Sequence, residues 1–149
     1  MYNTVLWATD GSEHADGALA EARRVLRPDG LLIAFHCDER FSGSRAAGLS
    51  IAVDEADRKE KIHAQVEELR AAGVETKLVV DVTHHGAAGE IADAAAEAGA
   101  DVIVCGSRGL GAIAGALAGS VALRLPHVAP CPVLVVSEHA ARRQQLTTA

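Results

Sequence analysis

Fifteen residues, Gly106 to Ser120, read GSRGLGAIAGALAGS, with five glycines, no lysine and a single charged side chain, directly after the apolar run DVIVC. A chain that leaves a strand and starts a helix presents unpaired backbone N–H groups and the positive end of a helix dipole. Glycines let that backbone approach an anion without a Cβ in the way. The chemistry this allows is phosphate binding. A looser reading, in which Gly and Ala only permit close packing of a flexible loop, stays open at this point. Spacing narrows the ligand. GxxxxGK[ST] is absent, because the lysines are Lys59, Lys61 and Lys77 and none lies in the stretch, which excludes a Walker-type NTPase. The dinucleotide fingerprint GxGxxG should follow the first strand, where Asp10-Gly11-Ser12 stands instead, so NAD and FAD are poor candidates. The pattern present is Gly106-x2-Gly109-x9-Gly119-Ser120, with Asp10 at the end of the first strand. Beside a triphosphate, Asp10 needs a ribose hydroxyl to accept from or a Mg²⁺ between the two charges. Its alternative role is that of a turn residue, capping the first helix through Gly11 and Ser12.

Other residues of chemical interest have duller roles. His84 and His85 are neighbours on a loop, point apart and have no third ligand nearby, so they read as solvated loop residues and not as a metal site. Cys37, Cys105 and Cys131 are odd in number, lie in or beside apolar runs and form no CxxC. They support neither a disulfide framework nor a zinc site, and they suit a reducing cytosol. Cys105 reads as a small core residue beside the glycines and not as a nucleophile.

The elements that must position these residues alternate between strand and helix. Asn3 to Thr9 is a buried strand ended by Asp10-Gly11; Ser12 is the N-cap of a helix whose Ala15, Ala18, Leu19, Ala22, Val25 and Leu26 recur at helical spacing until Pro28-Asp29-Gly30. Leu31 to Cys37 is a second strand. Asp38 to Ser50 is a mobile loop before a long helix carrying Val53, Ala56, Ile62, Val66 and Leu69 and closed by Gly73. Val74 to Val82 is a third strand, Gly86 to Ala98 an alanine-rich helix stopped at Gly99, and Asp101 to Cys105 a fourth strand. A short helix from Ser120 to Leu125 is stopped by Pro126, and Val133 to Val136 is the last strand. Such alternation implies a parallel α/β sheet with right-handed crossovers, whose ligands sit beyond the C-terminal strand ends where strand order reverses.

Composition agrees. With 149 residues, 49% of them apolar, and only four aromatics, the chain fits one domain with an Ala, Val, Leu and Ile core suited to a helix-covered sheet. A formal net charge of −6 and no local basic patch argue against nucleic acid as a partner. No apolar run approaches the roughly eighteen residues of a membrane span, and the N-terminus has no basic segment before a long apolar one. A soluble, cytoplasmic protein is expected.

The glycine pattern and three further stretches resemble the universal stress protein family: ATDGSEHADGALAEA at the start, GAAGEIADAAAEAGADVIVCGSRG in the middle, and GSVALRL followed by HVAPCPVLVV at the end. The resemblance covers nearly the whole chain, residues 1–138, with 139–149 as a polar tail. It implies a single five-stranded parallel sheet in the order 3-2-1-4-5 with helices on both faces, of the Rossmann-like adenine nucleotide alpha hydrolase type. It also implies ATP binding, with AMP or cyclic AMP as other adenine nucleotides, because the family's G-x2-G-x9-G-[ST] pattern marks its ATP-binding members. Carried over residue by residue, the Gly106 and Gly109 backbone lies around ribose and phosphates, and Gly119 and Ser120 lie on the phosphate chain. Asp10 lies beside ribose, phosphates and Mg²⁺. Adenine lies near Ala8, Thr9, His36 and Cys37, read by backbone groups. The segment between Gly109 and Gly119 is less basic here than in many relatives, so phosphate charge falls to backbone amides, Arg108 and metal. Val121 follows Ser120, where it offers no second hydroxyl. The favoured reading is a stress-response regulator, paired as a homodimer through Val133, Leu134, Val135 and Val136, a run that ends the sheet and would otherwise leave a long apolar edge. A slow ATP-cleaving enzyme and a nucleotide-free module that uses Asp38 to Ser50 as its contact surface are the alternatives.

Overall fold

The computed structural model describes residues 1–38, 48–82, 86–109, 119–137 and 140, with the backbone alone for 48–54. His84, His85, most of the 38–50 loop, the middle of the glycine stretch and nearly all of the polar tail lie outside the described residues. In chain order the elements are β1 (Tyr2–Thr9), α1 (Glu13–Val25), β2 (Leu26–Asp38), α2 (Gly48–Ala71), β3 (Glu75–Val82), α3 (Ala87–Ala98), β4 (Val102–Gly106), α4 (Ser120–Val128) and β5 (Val133–Val136). All pairings are parallel, and the strand order is β3-β2-β1-β4-β5, the order the resemblance implies.

Strands buried on both faces explain the unbroken apolar runs. Successive β1 residues point to opposite sides. Val5 and Trp7 join Ala18 and Ala22 of α1 and Val66 and Leu69 of α2 on one side. Leu6 and Ala8 join Ile91 and Ala95 of α3 and Leu125 of α4 on the other. Trp7 is fully buried, and its indole N–H donates to the Ala15 carbonyl at 2.9 Å, which fixes the first turn of α1 over the end of β1. Ser12 caps α1 as expected, its hydroxyl accepting the Ala15 N–H at 3.3 Å. Gly99 closes α3 in the left-handed conformation, φ 60°, and donates to the Ala95 and Ala96 carbonyls.

Two expectations are corrected. Leu26 is not the last helical residue, and Pro28-Asp29-Gly30 does not separate helix from strand: β2 starts at Leu26, pairs with Tyr2, and resumes pairing at Leu31 with Thr4. The extra residues bulge out of the ladder, where a proline without an N–H costs no hydrogen bond. Gly30 belongs to that bulge because a Cβ there would stand 2.8 Å from the Asn3 carbonyl oxygen. Pro126 does not stop α4, which runs on to Val128. The proline removes one bond to Ala122, yet the Ala129 N–H bonds the Leu125 carbonyl at 2.9 Å, and Leu125, fully buried, anchors the helix to the sheet.

Candidate functional site

Strand order reverses between β1 and β4: the chain crosses from β1 to β2 on one side and from β3 to β4 on the other. A cleft opens at their C-terminal ends, the place such a reversal leaves for a ligand. Its volume is about 210 Å³. All eleven residues singled out from the sequence line it: Ala8, Thr9 and Asp10 from β1 and its turn, His36 and Cys37 from β2, Gly106, Arg108 and Gly109 after β4, and Gly119, Ser120 and Val121 at the start of α4.

The wall of the cleft at the start of α4 is built around backbone groups. Gly119 is the N-cap of α4 and has no side chain to offer; the first N–H to find a helical partner is that of Leu123, which bonds the Gly119 carbonyl at 3.1 Å. The N–H groups of Ser120, Val121 and Ala122 therefore stand at the positive end of the helix, in the lining of the cleft. The two ends of the glycine segment are tied together, since the Gly119 N–H donates to the Ser107 carbonyl at 2.7 Å. Ser107 is held in turn by donating its N–H to the Val136 carbonyl at 2.9 Å.

The glycines are not equivalent. A Cβ on Gly106 would stand 2.8 Å from the His14 carbonyl oxygen, and one on Gly109 would collide with the Asp10 carboxylate. The fold itself requires glycine at both positions. At Gly119 the nearest atom to such a Cβ is the Arg108 Cα at 3.5 Å, an ordinary contact, and its φ of −75° suits any residue. The fold does not need glycine there.

Asp10 combines both roles weighed for it. Its Oδ1 accepts the Ser12 N–H at 3.0 Å, forming the turn that starts α1, while the same carboxylate packs against Gly109 across the cleft. A Mg²⁺ ion keeps several waters and takes only one or two carboxylates beside substrate phosphates. The Asp10 carboxylate, in the same lining as the start of α4, fits that donor set. Groups of three or more His, Cys, Asp or Glu able to hold a metal by themselves do not occur among the described residues.

His36 is buried, its Nδ1 2.9 Å from the Thr9 carbonyl and its Nε2 2.6 Å from Glu55 Oε1. Its side chain is thus engaged on both ring nitrogens, by Thr9 and Glu55. Glu55 and Arg58, which sequence reasoning missed, bring α2 to the cleft; Arg58 Nη1 lies 3.3 Å from Glu55 Oε2. A signal for Glu55 exists. It stands seven residues before the buried Ile62, on the apolar stripe of its helix, where a lone carboxylate needs a partner. Arg58 has no such mark.

Cys105 also lines the cleft, and burial pushes its thiol up to about 11. Because the thiolate is the nucleophile, this cysteine is expected to stay unmodified when the native protein meets iodoacetamide at pH 8 and to react once the protein is unfolded. Peptide mass mapping reads both. Native alkylation of Cys105 would show a looser strand end than the packing implies.

A universal stress protein of Thermus aquaticus is 34% identical over 142 residues, covering 91% of this chain and 99% of that one. The solved structure of MJ0577, a universal stress protein of Methanocaldococcus jannaschii, superposes with a TM-score of 0.72 at 28% identity, covering 93% of this chain and 97% of that one. A universal stress protein solved in complex with cAMP superposes with a TM-score of 0.57 at 28% identity, covering 91% and 96%. The sequence profile of the universal stress protein family matches residues 1–137. On this evidence of sequence, sheet order and structural likeness, the chain belongs to the universal stress protein family.

Proposed function

We propose that the cleft binds an adenine nucleotide, ATP in the first place, and that the protein is a cytosolic regulator whose nucleotide state is read by partners in the stress response. The observation that carries this reading is the α4 N-terminus, whose Ser120, Val121 and Ala122 precede the first N–H bonded within the helix and line the same cleft as Asp10. A triphosphate satisfies the amides of these residues and the helix dipole together. A structurally similar relative was solved with cAMP, an adenine nucleotide. In this reading Gly119, Ser120 and Val121 hold phosphate, and Gly106, Arg108 and Gly109 flank ribose and phosphate. The backbone of Ala8, Thr9, His36 and Cys37 surrounds adenine. Asp10 takes a ribose hydroxyl or a Mg²⁺ that accompanies the phosphates.

Asp10→Asn tests the role of the carboxylate. Asn keeps the turn, since its side-chain oxygen also accepts the Ser12 N–H, but removes the charge a cation needs. Calorimetric titration should find that Mg²⁺ strengthens ATP binding in the parent and does so much less in the variant, with the ligand-free melting temperature little changed. Identical metal dependence would remove Asp10 from the site and leave phosphate to the backbone alone.

The same reading includes a homodimer formed through β5. The two sheet edges differ: β3 carries Glu75, Lys77 and Asp81, charges that discourage edge pairing, whereas β5 is VLVV, with Val135 exposed and no charge. An apolar edge strand with one free side is suited to pair with a second copy.

A further inference from the structure

Asp10 stands between two peptide carbonyls, and each is held by a side chain that leads to α2. On one side, Lys61 Nζ donates to the Gly11 carbonyl at 2.8 Å and pairs with Asp16 Oδ2 at 2.6 Å. Asp16 is steadied in turn by Gln65, whose Nε2 donates to its Oδ1 at 2.8 Å. On the other side, His36 Nδ1 meets the Thr9 carbonyl. A carbonyl only accepts, so Nδ1 carries the proton, and the Nε2 of the same ring is turned to Glu55 of α2. Between these two holds, the Arg58 stem lies on Gly11, where a Cβ would stand 3.1 Å from the Arg58 Cγ. Gly11 itself has φ 77°, so the turn after Asp10 takes a shape that few residues other than glycine adopt. Arg58, Lys61 and Gln65 follow one another along α2 beside its buried stripe, on which Glu55 precedes the Ile62, Val66 and Leu69 that pack on the sheet.

We propose that α2 aims Asp10 into the cleft, with Lys61 and His36 as positioning residues that hold the peptide groups on either side of it. The proposal rests on the reading that Asp10 acts on bound nucleotide. Lys61 and Asp16 are both partly exposed, so their ion pair contributes little to stability, and the purpose of the contact is the fixed Gly11 carbonyl. Groups that orient a metal-facing carboxylate in this way affect affinity without touching the ligand.

The test uses the full chain with Lys61→Met, Lys61→Arg, Asp10→Asn and the double variant Asp10→Asn/Lys61→Met. Two readouts apply: the ligand-free amide resonance and hydrogen exchange of Ser12, which donates to Asp10 Oδ1, and calorimetric affinity for ATP with and without Mg²⁺. Lys61→Met should shift the Ser12 amide, speed its exchange and weaken Mg²⁺–ATP binding by about tenfold, the scale on which outer partners of a metal site act. ATP without Mg²⁺ should change less. Lys61→Arg should restore both readouts, and the double variant should bind no more weakly than Asp10→Asn alone. An unmoved Ser12 amide with unchanged affinity in Lys61→Met, or losses that simply add in the double variant, would overturn the proposal. If Asp10→Asn weakens binding and Lys61→Met does not, the positioning role fails alone. If Asp10→Asn itself leaves Mg²⁺–ATP binding intact, the role of Asp10 in the proposed function fails and takes this one with it.

Discussion

Replacing Gly119 by Val should lower ATP affinity at least tenfold, about 1.4 kcal/mol or more, while leaving the fold intact. The two halves of that expectation come from different observations. The fold is spared because, among the described residues, a Cβ at 119 meets nothing closer than 3.5 Å, and the extended backbone there, φ −75° and ψ 162°, is one that a β-branched residue favours. Binding suffers because the added methyl groups occupy the space in front of the Ser120 and Val121 amides, where a phosphate oxygen must come within hydrogen-bond distance. Gly106 and Gly109 cannot give so clean a result, since a side chain at either strikes the His14 carbonyl or the Asp10 carboxylate in the ligand-free protein. Titration of a fluorescent ATP analogue into parent and variant, alongside circular dichroism, reads both halves. Equal affinity with an unchanged spectrum would sink the assignment of phosphate to α4.

Val135→Lys should convert a dimer to monomer. The residue sits in β5, the uncharged edge, at 37% exposure in the single chain, a level that pairing with a second β5 would remove. A lysine trapped in that pairing loses its hydration without gaining a partner, at a cost of several kcal/mol, comparable to the affinity of many homodimers. The monomer fold should tolerate it, because Val135 is partly exposed in the single chain, whereas Val136 is buried in the core. Sedimentation velocity distinguishes the outcomes. A monomeric parent, or a variant that remains fully dimeric, would remove β5 as the interface.

The alternation of strands and helices was legible because β1, β4 and residues 31–35 of β2 are apolar on both faces, and because α2 and α3 are closed by glycines with a specific conformational task. Gly73 and Gly99, at φ 81° and 60°, are such residues. The cleft was legible for the same reason: its walls are strand ends and a helix start, which lie at fixed places along the sequence. Asp10 was legible both as a turn residue and as a cleft carboxylate, and the turn contact and the Gly109 contact coexist. The bulge at Pro28 to Gly30 was not legible, since those residue types also mark the end of a helix, and only pairing with Tyr2 tells the two apart. Pro126 misled because local propensity forbids it inside a helix, while the burial of Leu125 holds the helix together. Arg58 and Lys61 were hidden most deeply. Their approach to Gly11 depends on how α2 lies across the sheet, which no spacing within α2 reveals.

Nucleotide binding at the start of α4 is tested most directly by following backbone amide resonances while ATP is added to the full chain with Mg²⁺ present. The Ser120, Val121 and Ala122 amides, which face the cleft, should shift saturably and together with those of Gly106 and Gly109, whereas amides of the β3 edge such as Glu75 and Lys77 should stay in place. Resonances of Ser120 to Ala122 that do not move at millimolar ATP, or that move no more than those of β3, would contradict a phosphate site at this helix end.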